Sequence, residues 1–400
     1  MVYNGKREQI IKFGIIDKYI LIPIIGGLIK IFYRYLILHI GPSFGNHPFV
    51  FSLYSSLGMS LAFIRFIKEP NLDELMPPDA KEKKQIVKRG KFIFICVAIL
   101  LDFIQTLLAT FFYLKTKLNL WNFDIIILGI FSRLILKISL YRHQLLSIAS
   151  IFILSLIINL IILKEEKDLY INILTFVNQI IFHLEVVIHK LIIENYFSTP
   201  SEICFYEGVV NLFLYILCLS IFSNIEVPKE YSYIFNDNLL DFNDKKYLDN
   251  FTSYYGKIDI KEIFIVLGYL PLIAMFNLSI LITIKKYTPF HILIIFIVGD
   301  FEKIIYEYDD WKTYIILIIL CIIFLTILIF NEIIELNFCD LSYNIKRNLD
   351  IRFKQELLDI NDNDSDSDDN ENLDINNDND NKVSSEKKIK LNKNNELNNL

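Results

Sequence analysis

The chain has 400 residues, 54% of them hydrophobic and 14% aromatic, with a formal net charge of −6. Its mean hydropathy of +0.41 and the delivery of apolar residues in blocks of about twenty exceed what a soluble core uses and point to a bilayer. No basic patch with interleaved aromatics suggests nucleic acid as a partner.

Taken in chain order, residues 1–13 form a polar, basic start, MVYNGKREQIIKFG being too polar for the apolar region of a cleavable signal. The first span is then expected to act as an uncleaved signal. Ten spans follow, near 14–38, 48–67, 92–114, 121–140, 144–163, 170–194, 203–223, 262–284, 290–308 and 313–334. Length and flanking charge place them, because periodicity says little in helices this uniformly greasy. The expected class is an all-α integral membrane protein of about ten transmembrane helices.

Lysine and arginine set the orientation. The N-terminus carries Lys6, Arg7, Lys12 and Lys18. The 68–91 loop carries Lys68, Lys81, Lys83, Lys84, Lys88, Arg89 and Lys91. The 285–289 turn carries Lys285 and Lys286. With ten spans these regions and the C-terminus share one side, expected to be the cytosol. The 224–261 loop then faces a lumen or the exterior, and it holds Asn250-Phe251-Thr252, a glycosylation acceptor triplet. An endomembrane (Golgi, ER or vacuolar) or the plasma membrane fits this arrangement.

Residues 335–356 form a basic juxtamembrane segment. From 357 to 400 the chain is acidic and low in complexity, with NDNDSDSDDNENLDINNDNDN followed by SSEKKIKLNK. That composition buries too little to offset chain entropy and is expected to be disordered. Ser365 and Ser367 precede acids, which suits acid-directed phosphorylation, but a plain solvated tail is the favoured reading.

Several spans carry polar residues that lipid does not tolerate. The sixth reads FVNQIIFHLEVVIHKLIIE over residues 176–194. At ~100° per residue, Asn178, Glu185 and His189 share one stripe, and Gln179, His183, Lys190 and Glu194 the adjacent one. An ionised group at the bilayer centre costs at least ~2.5–3.5 kcal/mol, so both stripes need a protein interior or a wet cavity. Glu185 and His189, one turn apart, can pair as a proton-responsive element or serve a packing network. Asp102 lies mid-span in the third helix beside Gln105 and Thr106, Glu207 early in the seventh, and Asp300, Glu302 and Lys303 in the ninth. Arg133 and Lys137, read as i, i+4 on the fourth helix, suit contact with an anion or pairing with Asp102, Glu207 or Asp300. Lys30 and Arg34 are placed to snorkel.

Enzyme signatures are missing: no nucleophile triad, no HExxH, no phosphate-cradling glycine loop. No cofactor is expected. No metal-ligand cluster is visible in the spacing; His39 and His47 flank a short turn with nothing beside them. Cys96, Cys204, Cys218, Cys321 and Cys339 read as small apolar residues in or beside spans.

Ten spans divide near residue 167 into 14–163 and 170–334, and five spans per half make the halves inverted, a plan that puts a binding site between them. HPFVFSLYSSLGMSLAF in the second span, ENYFSTPSEICFYEGVVNLFL into the seventh and IKKYTPFHILIIFIVGDFEKI across the eighth-to-ninth turn resemble the drug/metabolite transporter superfamily, which holds nucleotide-sugar and triose-phosphate transporters. Lys286-Tyr287-Thr288-Pro289 fills a turn that such families place before their ninth span. NEIIELNFCDLSYNIKRNLDIR resembles the close of many uncharacterised multi-span proteins of single-celled eukaryotes. The similarity covers roughly residues 14–350, while the GALXXT-like and FYNN-like patterns of some subfamilies are absent. It implies a 5+5 inverted-repeat bundle that moves a small polar or anionic solute by alternating access; Glu185 beside His189 adds the expectation of proton coupling. Arg133, Lys137, Glu185, His189, Asp102, Glu207 and Asp300 are the candidate site residues. The rival is a non-transporting multi-pass scaffold or receptor.

Overall fold

The structure, a computed structural model, describes residues 11–13, 18–40, 48–70, 72–81, 83–112, 123–138, 140–162, 169–222, 226–227, 241–242, 245–247, 260–307 and 311–336. Asn250, Cys339 and the 357–400 tail lie outside them. So do His47 and the side chains of Arg34, His39, Asp300, Glu302 and Lys303.

Among the described residues ten helices longer than ten residues occur: α1 Leu21–Ile40, α2 Pro48–Ser60, α3 Lys84–Phe112, α4 Asp124–Ile135, α5 Arg142–Ile162, α6 Leu169–Asn195, α7 Pro200–Phe222, α8 Ile260–Lys286, α9 Ile292–Glu307 and α10 Trp311–Phe330. Each overlaps a predicted span. Four contain stretches long and apolar enough to cross a membrane: Lys84–Leu108, Phe176–Asn195, Pro200–Ile221 and Ile263–Lys286. Their outward faces are greasy. Phe92, Phe213 and Phe264 stand 71%, 67% and 70% exposed, which hydrocarbon accepts and water does not. The protein is a helical membrane protein.

The chain divides into two units, and the helices belong to the one formed by Phe13–Ile138 and His143–Glu335. Within it α2 packs on α7, α3 on α6, and α1 on both α8 and α9; α2 also meets α8 and α3, and α6 meets α4. Small residues set these approaches. A Cβ on Gly208 would strike the Met59 and Ser60 backbone, and one on Gly58 would strike Ile273 and the Leu270 carbonyl. Gly26 and Gly27 meet Ser279, Ile295 and Val298, drawing α1 against α8 and α9. In the 224–261 loop, Glu226–Val227, Lys245–Tyr247 and Asp241–Phe242 form a small antiparallel sheet. The other unit, Met1–Lys12, Ser139–Arg142 and Leu336–Leu400, has few described residues.

Two expected spans are shortened. The fourth ends at Ile135 rather than 140, because Lys137 adopts φ 55° and both Leu136 and Ile138 amides donate to the Ser132 carbonyl. Arg133 and Lys137 therefore do not share a helical face. The second is interrupted after Ser60 by a turn before a single helical turn, Phe63–Phe66.

Candidate functional site

The site starts from the turn between α6 and α7. Thr199-Pro200-Ser201-Glu202 is a capping box: the Glu202 amide donates to Thr199 Oγ1 at 3.2 Å, and the Thr199 amide donates to Glu202 Oε2 at 3.4 Å. Pro200 suits the first helical position. On the other side, Phe197 takes φ 54° and the Tyr196 and Ser198 amides both return to the Ile192 carbonyl, closing α6. The turn is thereby tight.

Three contacts hold this turn. Lys91 Nζ of α3 reaches Glu202 Oε2 at 2.6 Å, Gly90 gives room to the Tyr196 ring, and Ser201 Oγ donates to Glu69 Oε1 at 2.9 Å. Lys190 of α6 donates to the carbonyls of Ile284 at 2.8 Å and Tyr287 at 2.7 Å, and pairs with Glu194 at 2.8 Å. Its ammonium thus satisfies orphan carbonyls at the end of α8. Beyond, Tyr287 stacks on His291 with ring centroids 4.5 Å apart, and Lys286 lies 4.4 Å over the Tyr19 ring. The turn of the IKKYTPFH motif is therefore fastened to α6.

One and a half to two helical turns inward from the hairpin, α6 and α7 present ionisable groups to each other. Residue 189 lies about 9 Å from the end of α6 and residue 207 about 10 Å from the start of α7, at 1.5 Å per residue. His189 Nε2 lies 2.5 Å from Glu207 Oε1 and 3.7 Å from Glu185 Oε1. Glu207, Asn211 and Tyr215 follow at i, i+4 and i+8 along the buried side of α7. Asn211 Nδ2 donates to Asp102 Oδ2 of α3 at 2.6 Å, and Tyr215 OH donates to the Phe103 carbonyl at 3.3 Å. Thr106 Oγ1 approaches the other Asp102 oxygen at 3.4 Å.

Asp102, Glu185, His189 and Glu207 therefore form one electrostatic cluster. Asp102 feels the charges of Glu207 and His189, and Glu185 those of Asp102 and Glu207. Three carboxylates against one imidazole amount to a formal −3 with the ring neutral and −2 with it protonated. Glu185, His189 and Glu207 are only 6%, 4% and 2% exposed. Cys204, one turn before Glu207, is fully buried and donates to the Met59 carbonyl at 3.7 Å. Like charges so placed, away from bulk water, call for a cation or protons.

The structure thus gathers four of the seven candidate residues. Arg133 and Lys137 are exposed, so the cluster is built without them. Asp300 lies in α9 with its side chain outside the described residues. The second polar stripe of α6 does different work. His183 Nδ1–H donates to the Gln179 carbonyl at 2.7 Å, its Nε2 sits 3.7 Å from Asp124 at the start of α4, and Lys190 goes to α8. Asn211 was not foreseen as a participant; its spacing one turn after Glu207 is the signal that marks it. Cys96, Cys204, Cys218 and Cys321 carry free thiols. No protein-family model and no curated protein matches this chain.

Proposed function

We propose that the protein is a secondary carrier that moves a small polar solute by alternating access, with the α3–α6–α7 cluster as its ion-coupling element. The observation that carries this reading is the convergence of Asp102, Glu185, His189 and Glu207 inside helices long and apolar enough to span a bilayer. Ionisable groups persist at such a depth where they serve a substrate or ion path. The cluster begins about 10 Å in from the α6–α7 turn, so in a hydrocarbon layer about 30 Å thick it sits toward the midplane.

The helix pairings support a two-halved plan. If α1–α5 correspond to α6–α10, the pairing of α3 with α6 has its counterpart in α8 with α1, and α4 with α6 in α9 with α1. The pairing of α2 with α8 has its counterpart in α7 with α3, α2 with α3 in α7 with α8, and α2 with α7 maps onto itself. A few pairings, α9 with α10 first among them, lack a comparable counterpart. An odd number of helices per half inverts the second, which is the plan of many carriers. The orientation reading gains support too. The basic 68–91 region, the α6–α7 turn and the α8–α9 turn meet at one end through Lys91–Glu202, Ser201–Glu69 and Lys190–Tyr287.

The cluster's sign favours a cation or protons over an anion at this point, so the polar class is the part of the expectation that we carry forward. The test is uptake by the purified full chain in proteoliposomes under an imposed pH gradient, across a solute panel. Glu207→Gln should cut uptake at least tenfold, Glu185→Gln should flatten its pH dependence, and Arg133→Ala should leave it intact. Wild-type protein that takes up nothing from the panel under any gradient, or a Glu207→Gln protein with normal uptake, would leave the scaffold alternative standing.

A further inference from the structure

Glu185 is the odd member of the cluster. His189 and Glu207 hold each other, Asp102 is held by Asn211, but Glu185 Oε2 is buried with no hydrogen-bond partner. At 6% exposure an unsatisfied carboxylate oxygen is a net cost to the fold. Its other oxygen already points at the His189 ring, 3.7 Å away. One ligand atom each from Glu185, His189 and Glu207 lies within 4.8 Å of the others. Two carboxylates and an imidazole, two of them i, i+4 on one helix and the third from the facing helix, form a partial coordination shell.

We propose that Glu185, His189 and Glu207 bind a divalent first-row transition-metal ion of the Zn²⁺ type. Mixed imidazole and carboxylate donors suit such ions better than Mg²⁺ or Ca²⁺, which prefer oxygen alone. Three protein ligands leave coordination positions open for water, as an exchangeable ion requires. Asp102, within electrostatic reach of all three, adds a negative charge behind them. At 2.5 Å the His189 Nε2 and Glu207 Oε1 are closer than two donors around one zinc, each about 2.0–2.2 Å from it in tetrahedral array. The pair therefore opens by about 1 Å when the ion enters, and the Glu185 carboxylate gains a partner. As a binding site this stands on the geometry alone; as a route for cargo it rests on the carrier reading above.

The experiment uses the full chain in detergent with Zn²⁺ as the probe. Calorimetry should find one ion per chain at this site. Glu185→Gln, His189→Gln and Glu207→Gln should each weaken that binding at least tenfold. Glu185→Gln is the deciding variant: Oε2 makes no hydrogen bond to lose, so the near-isosteric amide keeps the fold, checked by size exclusion and helical circular dichroism. Equal Zn²⁺ stoichiometry and affinity in wild type and folded Glu185→Gln would overturn the proposal, as would no stoichiometric ion at all. Proteoliposomes separate the two readings. Proton-driven solute uptake with Zn²⁺ chelated, joined to no Zn²⁺ binding, overturns the metal site and leaves the carrier; stoichiometric binding without Zn²⁺ flux keeps the site and removes metal as cargo.

Discussion

The α3–α6–α7 trio and the α8–α1–α2 trio occupy equivalent places under the five-plus-five correspondence, yet they are furnished differently. The first holds Asp102, Glu185, His189 and Glu207. The second holds hydroxyls and rings: Ser55 Oγ and Tyr269 OH lie 2.7 Å apart, Tyr33 meets Tyr269 edge-on at 6.2 Å, and Phe51 lies 5.7 Å from the same ring. Tyr269 is fully buried. One trio gathers carboxylates; around Tyr269 the other makes neutral contacts, and the buried Lys30 of α1 lies 4.8 Å over the Phe296 ring of α9. Packing alone asks only for the second solution, since a neutral hydroxyl pair inside a helix bundle leaves no charge uncompensated. The acids of the first trio therefore need a reason beyond packing.

The two trios share a seam, where α7 presses on α2 through Gly208. Gly208→Val would push both apart at once. We expect the largest effect there, about 3 kcal/mol of overpacking strain or outright loss of folded protein, read as melting temperature and recovery by size exclusion; an unchanged melt would mean the seam yields freely and the trios are independent. Next comes Asn211→Leu in the charged trio. It strips the amide from Asp102 and should cost about 1.5–3 kcal/mol, the range for a hydrogen bond to a charged group. Smaller is Tyr269→Phe in the neutral trio, which removes one hydroxyl pair at about 0.5–1.5 kcal/mol. Should Tyr269→Phe prove as damaging as Asn211→Leu, the contrast between the trios would lose its energetic meaning.

Much of this was legible in the letters. Blocks of about twenty apolar residues located the helices; the Thr199–Glu202 box with Pro200, a signal that sets the start of α7 at 200 rather than 203, went unread. The stripe of Glu185 and His189 was readable from helical spacing. What spacing does not encode is partner choice across helices: that Glu207 faces His189 follows from a turn closed by Phe197 in a left-handed conformation that no motif announces. The i, i+4 placement of Arg133 and Lys137 on one helix gave way on the same kind of ground. The FSRLILKISL run holds no Gly or Pro to signal a stop, while the backbone ends the helix at Ile135 and turns at Lys137.

The brevity of the α6–α7 turn bears on how the protein enters its membrane. His189 and Glu207 are only eighteen positions apart, so they can meet as soon as the two helices stand side by side, before any distant part of the chain exists. Each helix alone would carry an uncompensated group into hydrocarbon; as a hairpin they carry a bonded pair. Residues 169–222 should accordingly insert more completely together than either helix does by itself in a glycosylation-mapping assay, and Glu207→Gln should narrow that advantage. The feature that makes the cluster chemically useful would then also be what lets it be installed.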